Sequence, residues 1–330
     1  MLDIEKLSKV KKIFVHASCH DGTTAAFITK RAFKLLGLEF PKIYFIQYGQ
    51  QKHFDLRPEE NQMFIDITPP IARWEEWKEF SPIVLDHHEA AIEATLGLNG
   101  VYGGKEDSGA ALAFKHIYVL AFEREIGDIM MNDDNRRIYF EFNELKEISE
   151  KVSTYDNWKT ADKDKFDEAA LVVNAINFIG SKELLEEADK HKNMDLNFIY
   201  RLSGILEEKK KWTIKKYVES ATFEEICGLK VAIFNCTEKA VSESAHELLD
   251  NHGADLAIGW FTLFQDDKLC YSISLRTDSR QEGLAKKIAV HRGGGGHPNA
   301  AGFRYNFDSK NFCHNELLKI IEFSIETIRS

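Results

Sequence analysis

Ile13-Phe14-Val15-His16, Met63-Phe64-Ile65-Asp66 and Ile83-Val84-Leu85-Asp86-His87-His88 share one plan: a short apolar run that stops on a histidine or an acid. Each run is too short for a helix and reads as a buried strand. Around them, Thr23–Leu36 is periodic as a helix, Ile43-Tyr44-Phe45-Ile46 is a further strand, and Pro70–Phe80 reads as a helix with proline near its first turn. Strands alternating with helices predict an α/β fold whose N-terminal sheet is mainly parallel and flanked by helices on both faces.

Outward from that core, Ser108 to about Val152 is helical in pattern, as is Ser181–Val218. The second region ends in the charge run Glu207-Glu208-Lys209-Lys210-Lys211, which reads as a solvated helical face rather than a binding element. Strands then return at Lys230–Phe234, Leu256–Phe264 and Leu269–Arg276, with Gln265-Asp266-Asp267-Lys268 as a hairpin turn. A helix near Gln281–Val290, a strand at Phe303–Tyr305 and a closing helix Asn311–Ile328 complete a smaller C-terminal α/β unit. The expected organisation is a first domain over 1–190, a helical connector over 191–220 and a second domain over 221–330.

The 330 residues carry 43 Lys+Arg against 53 Asp+Glu, a net charge of −10, which disfavours wide binding to long duplex nucleic acid or to an anionic membrane. No stretch approaches the length of a membrane span, and Met1–Lys6 lacks the layout of a signal peptide. The five cysteines, at 19, 227, 236, 270 and 313, form no disulfide or zinc spacing. A reducing cytoplasm is therefore the expected location.

In an open parallel sheet the carboxyl ends of strands line the crevice where ligands bind. His16 with Asp21-Gly22, Asp66, and Asp86-His87-His88 stand at or just after three such ends. One acid ending a strand is commonly a turn residue or a helix cap. Three at equivalent ends, two with histidines, point to a metal site. Carboxylates with imidazoles and no thiolate cluster suit manganese first, with magnesium or zinc behind. Two such ions about 3.5–4 Å apart hydrolyse phosphate esters.

Gly293-Gly294-Gly295-Gly296 costs chain entropy and supplies no packing. A flexible linker is one reading. A loop whose N–H groups cradle a phosphate, with His297 beside it, is the one favoured by the Pro298-Asn299-Ala300-Ala301-Gly302-Phe303 that follows. Arg276 reads as a phosphate clamp or, equally, as a surface ion pair. Ser108-Gly109-Ala110 opens a helix, where capping is plainer than anion binding.

Asp86-His87-His88, preceded by His16…Asp21-Gly22 and Asp66 and followed by Asp156, resembles the motif set of the DHH phosphoesterase superfamily. The run Gly293–Phe303 resembles the glycine–histidine motif of the DHH-associated domain, so the resemblance covers nearly the whole chain. It is nearest the nano-RNase, oligoribonuclease-like subgroup.

The resemblance implies that Asp21, Asp66, His87 and Asp156 hold one divalent cation and that Asp66 bridges to another, which His16 joins. Asp86 would orient His87, and His88 would face the scissile phosphate, making Asp66, His87 and His88 the catalytic set. Gly294, Gly295, Gly296, His297 and Arg276 would hold substrate. The departure is Cys19-His20, which stands where that family usually has an acid; either Cys19 or His20 would take its place, or neither.

The implied activity is hydrolysis of short RNA or DNA oligonucleotides and linear dinucleotides, such as pGpG, to mononucleotides. Cyclic dinucleotides and 3′-phosphoadenosine 5′-phosphate stay open as substrates. So do a catalytically weakened nucleotide-binding protein and a homodimer.

Overall fold

The computed structural model describes residues 2–126, 133–190, 197–237, 240–265, 268–306 and 314–329. The hairpin residues Asp266 and Asp267, the start of the closing helix at 311–313, and 127–132 and 191–196 within the helical regions lie outside them. The chain divides into two compact units, Met1–Leu206 and Glu207–Ser330, within the helix Asn197–Ser220.

The first unit is built on five strands: β1 (Lys12–His16), β2 (Lys42–Ile46), β3 (Gln62–Ile65), β4 (Ile83–Asp86) and β5 (Val101–Tyr102). They pair in the order β2-β1-β3-β4-β5, every pair parallel. This is the expected flanked parallel sheet, with β5 added at the edge. Because strand side chains alternate, Ile13, Val15, Met63, Ile65 and Leu85 enter one buried cluster with Phe27, Ile28 and Phe33 of the helix His20–Leu35. Phe14, Phe64 and Val84 enter another with Trp77. Both faces are covered, which is why these runs carry no polar residue before their ends.

The helix expected at Thr23 starts at His20, so Asp21 and Gly22 lie in its first turn. Ile71–Phe80 winds as a 3₁₀ helix. Gly109–Ala113 leads through a π turn, Phe114–Tyr118, into Val119–Ile126. Inside this unit Arg31 and Glu141 form a buried ion pair, with the Tyr118 hydroxyl donating to Glu141 Oε1 at 3.0 Å.

The second unit holds β6 (Thr222–Ile226), β7 (Leu229–Asn235), β8 (Leu256–Gln265), β9 (Lys268–Thr277), β10 (Gly295–His297) and β11 (Ala300–Asn306). Their order is β10-β11-β9-β8-β7-β6, antiparallel except for β7 with β8. One face packs on the helices Leu284–His291 and His314–Arg329, the other on Val241–Asp250. Among the described residues no helix is long and apolar enough to cross a membrane.

Candidate metal centre

β1, β3 and β4 end side by side, and the residues at their carboxyl ends converge. Asp66 follows β3 with φ of 61°, a left-handed conformation that an aspartate adopts at some cost. Its N–H donates to the Leu85 carbonyl at 2.8 Å, extending the ladder to β4 and fixing the carboxylate. Asp21 is fully buried, and its two oxygens accept from the N–H groups of Gly109 at 2.6 Å and Ala110 at 2.7 Å. The helix opening at Gly109 is thus capped by Ser108, whose hydroxyl accepts from Ala111, and also binds an anion, which is Asp21 itself. Gly22 is required next to it: a Cβ there would meet the His16 carbonyl oxygen at 2.3 Å.

His87 Nε2 stands 3.4 Å from Asp21, 3.2 Å from Asp66 and 3.5 Å from Asp156. One nitrogen cannot bond three carboxylates well. Donors about 2.1 Å from a common cation and at right angles stand about 3 Å apart, which is close to these spacings.

Among the described residues two donor groups form, Asp21/Asp66/His87 and His16/Asp66/His88, and Asp66 belongs to both. Asp66 Oδ2 and both ring nitrogens of His16 are buried without a hydrogen-bond partner, as is His20 Nε2. Orphaned polar atoms that converge in this way fit divalent cations, which would satisfy them.

The electrostatics agree. Burial, then the charge of Asp21, pushes the Asp66 carboxyl up to about 6. Burial also acts to raise Asp21, but His87 and the Ala110 N–H outweigh it and bring it to about 2. Burial acts to lower His87, yet Asp21 and Asp66 hold its proton up to about 11. Without a metal, a proton on His87 supplies the positive charge these acids need.

The remaining residues are placed as follows. Asp86, expected to orient His87, contacts both histidines. Its Oδ1 accepts from the backbone N–H groups of His87 and His88 and lies 2.8 Å from His88 Nδ1. His88, expected to face the scissile phosphate, joins the His16 donor group, with Asp66 in both. His20 Nε2 lies 3.4 Å from Asp156 Oδ1, while His87 approaches the other oxygen of that carboxylate. Cys19 enters neither donor group, and burial, followed by the charges of Asp66 and Asp21, raises its thiol far out of the neutral range.

Sequence reasoning passed over Tyr48. Its hydroxyl donates to Asp86 Oδ2 at 2.9 Å and accepts from the Thr68 N–H at 2.9 Å, bracing the acid that holds His88. Tyr48 lies just after β2, so the same strand-end rule would have found it.

In the second unit the glycine run is built, not loose. Gly295–His297 pairs with Ala300–Gly302, and a Cβ on Gly294 would meet the Gly302 carbonyl oxygen at 2.2 Å. A cavity of about 700 Å³ is lined by Arg276, Arg304, Ser272, Ser274, Gly294 and Gly295. Gly296 and the exposed His297 do not line it. Arg276 is half-buried and donates to Ser274 and the Leu275 carbonyl at 3.0 and 2.9 Å. Arg304, Ser272 and Ser274 gave no sequence signal beyond their strand pattern.

No family model and no curated protein matches the chain. Among solved structures it is similar to the pGpG-specific phosphodiesterase PggH from Vibrio cholerae, at 12% identity and a TM-score of 0.39 over 96% of this chain and 99% of that one. It is also similar to RecJ in complex with Mn2+ from Thermus thermophilus, at 13% identity and a TM-score of 0.36, over 98% of this chain and 53% of RecJ. A third similarity is to CDC45 from Entamoeba histolytica, at 10% identity and a TM-score of 0.36, over 97% of this chain and 96% of that one.

Proposed function

We propose that the chain is a divalent-metal-dependent phosphodiesterase of the DHH family that hydrolyses short oligonucleotides and linear dinucleotides such as pGpG to mononucleotides. The observation that carries this reading is Asp66, a buried carboxylate shared by two donor groups, one of which takes a nitrogen of His16, a buried ring that makes no hydrogen bond. Hard carboxylates with imidazoles favour manganese over magnesium or zinc. Two bound cations supply charge neutralisation for phosphoryl oxygens and lower the pKa of an attacking water.

Asp21, held by two backbone N–H groups, needs no reorganisation to act as a ligand. His87 gives up its proton to serve as one. Asp86 engages His88 Nδ1 and leaves Nε2 for an ion or a phosphoryl oxygen. His20, beside Asp156 and like Cys19 in neither donor group, would stand in for the missing acid. Arg276 and Arg304 line the cavity that suits a substrate phosphate, beside Gly294, whose own N–H is taken by the Ala289 carbonyl at 2.8 Å.

The test is a screen of the purified chain against linear dinucleotides, cyclic dinucleotides and 3′-phosphoadenosine 5′-phosphate with manganese, magnesium or zinc. Metal-dependent release of mononucleotide from the linear dinucleotide is expected. Nucleotide binding without turnover under every metal would make the chain a binding protein and overturn the reading.

A further inference from the structure

Adjoining the metal centre is a second cavity, of about 600 Å³, a usual size for a small-molecule site. Its walls come from the segment after β2 (Tyr48, His53, Phe54), the start of the 3₁₀ helix (Ile71), and the segment after β4 (His88, Ala91). His88 is also a member of the His16/Asp66 donor group, so the cavity begins where the metal centre ends.

Its chemistry differs from that of its neighbour. Among the described lining residues none is Lys, Arg, Asp or Glu. The Tyr48 hydroxyl is committed to Asp86 and His53 Nε2 hydrogen-bonds the Thr68 carbonyl at 2.9 Å, while His53 Nδ1 is buried without a hydrogen-bond partner. Phe54 is 51% exposed, yet its segment is anchored: Arg73 donates to the Phe54 carbonyl at 2.9 Å and pairs with Glu76.

Apart from the His88 ring, where the cavity meets the metal centre, no charged side chain in these walls serves a phosphate. A flat, uncharged ring finds aromatic surface on which to lie. The ligand that suits both neighbouring sites carries a phosphoryl group and an aromatic ring.

We propose that this cavity is a nucleobase subsite, taking the purine of the nucleotide whose phosphate reaches the metal centre, with Phe54 as its stacking surface. The position of that phosphate rests on the phosphodiesterase reading; the cavity and its aromatic wall do not.

The test is equilibrium binding of guanosine 5′-monophosphate and of ribose 5-phosphate to the full chain with manganese, for wild type, Phe54→Ala and Phe54→Trp. Phe54→Ala is expected to weaken the nucleotide by roughly 5- to 150-fold, the usual cost of losing a stacked ring, and to leave ribose 5-phosphate unchanged. Phe54→Trp is expected to keep nucleotide affinity. Equal wild-type affinity for the two ligands, or nucleotide binding untouched by Phe54→Ala, overturns the subsite. Hydrolysis of bis(4-nitrophenyl) phosphate by the wild type is followed in parallel. Phe54-dependent nucleotide binding without that hydrolysis keeps the subsite and overturns only the phosphodiesterase reading.

Discussion

Gly109 lies against Asp66 so closely that a Cβ on the glycine would stand 2.4 Å from the Cβ of the aspartate. The same glycine donates its N–H to Asp21 Oδ2 at 2.6 Å. One residue without a side chain therefore sets the position of two acids. Asp66 is already in a left-handed conformation and has little freedom to yield.

Gly109→Ala is therefore expected to displace Asp66 and Asp21 and lower kcat by about 100-fold, the usual cost of a misplacement near 1 Å. Gly204, in the helix Asn197–Ser220, has nothing within 4 Å of a Cβ position and serves as the control. Gly204→Ala should leave kcat alone and raise stability by about 0.4–1 kcal/mol. Steady-state kinetics and denaturant melts of the two variants read the contrast; equal activity in both would show that Gly109 does not position the acids.

Asp66→Asn separates stability from function. The folded chain pushes the Asp66 carboxyl up to about 6, so above that pH its ionised form is held at a cost relative to the unfolded chain. Asn keeps the shape and tolerates the same backbone, and it should stabilise the metal-free protein at pH 8 by about 1–3 kcal/mol. It should also abolish turnover and lower the bound metal by both ions, since Asp66 is common to both groups. Asp21→Ala and His87→Ala should lose the one ion they share. Elemental analysis with thermal melts decides: an Asp66→Asn protein that keeps one tightly bound ion rules out bridging.

The strands of the first sheet were legible because both faces are buried, so each reads as an unbroken apolar run with a polar stop. β6 was not: Thr222–Glu225 is exposed at a sheet edge, and its two glutamates carry no strand pattern. Its hairpin to β7 turns on Cys227 and Gly228, φ 52° and 75°, where a cysteine replaces the usual asparagine signal. At the site, residue types and strand ends located His16, Asp21, Asp66 and His87. Periodicity could not show which ring Asp86 holds, because that depends on side-chain rotamers two residues apart. Nor could it show that Asp21 is bound by N–H groups of Gly109 and Ala110, far along the chain and joined only by the fold.

Cys19 and His20 differ in what surrounds them, and their variants should differ accordingly. Cys19 lies before the first turn of the helix His20–Leu35, outside both donor groups, with its thiol strongly disfavoured from ionising. Cys19→Ala should leave metal content and kcat within about twofold, as for a small packing residue. His20→Ala removes a buried nitrogen 3.4 Å from Asp156 and should weaken binding of the neighbouring ion by about 10–100-fold. Manganese titrations of both variants check this. A Cys19→Ala protein that loses an ion would make the thiolate the ligand instead.

Metal binding should also be strongly dependent on pH, with a sign that follows from the metal-free site. His87 keeps its proton up to about 11, so near neutral pH an ion can bind only by displacing it. Asp86 and Asp66 also raise His88 against the effect of its burial. Asp21, at about 2, is already ionised and releases none. Ion uptake at pH 7.5 should release about one proton from His87, so apparent affinity rises about 10-fold per pH unit. Below about 6 Asp66 binds a further proton, and the dependence steepens. Calorimetric titration of manganese in buffers of different ionisation enthalpy counts the protons directly. The metal-free chain gains stability from the raised His87 below its unfolded pKa, and that gain is lost as pH rises towards about 11. Added manganese should therefore raise the melting temperature more at pH 8 than at pH 6. Uptake with no proton release, or a larger metal effect at pH 6, would show that the ion does not take the place of the His87 proton.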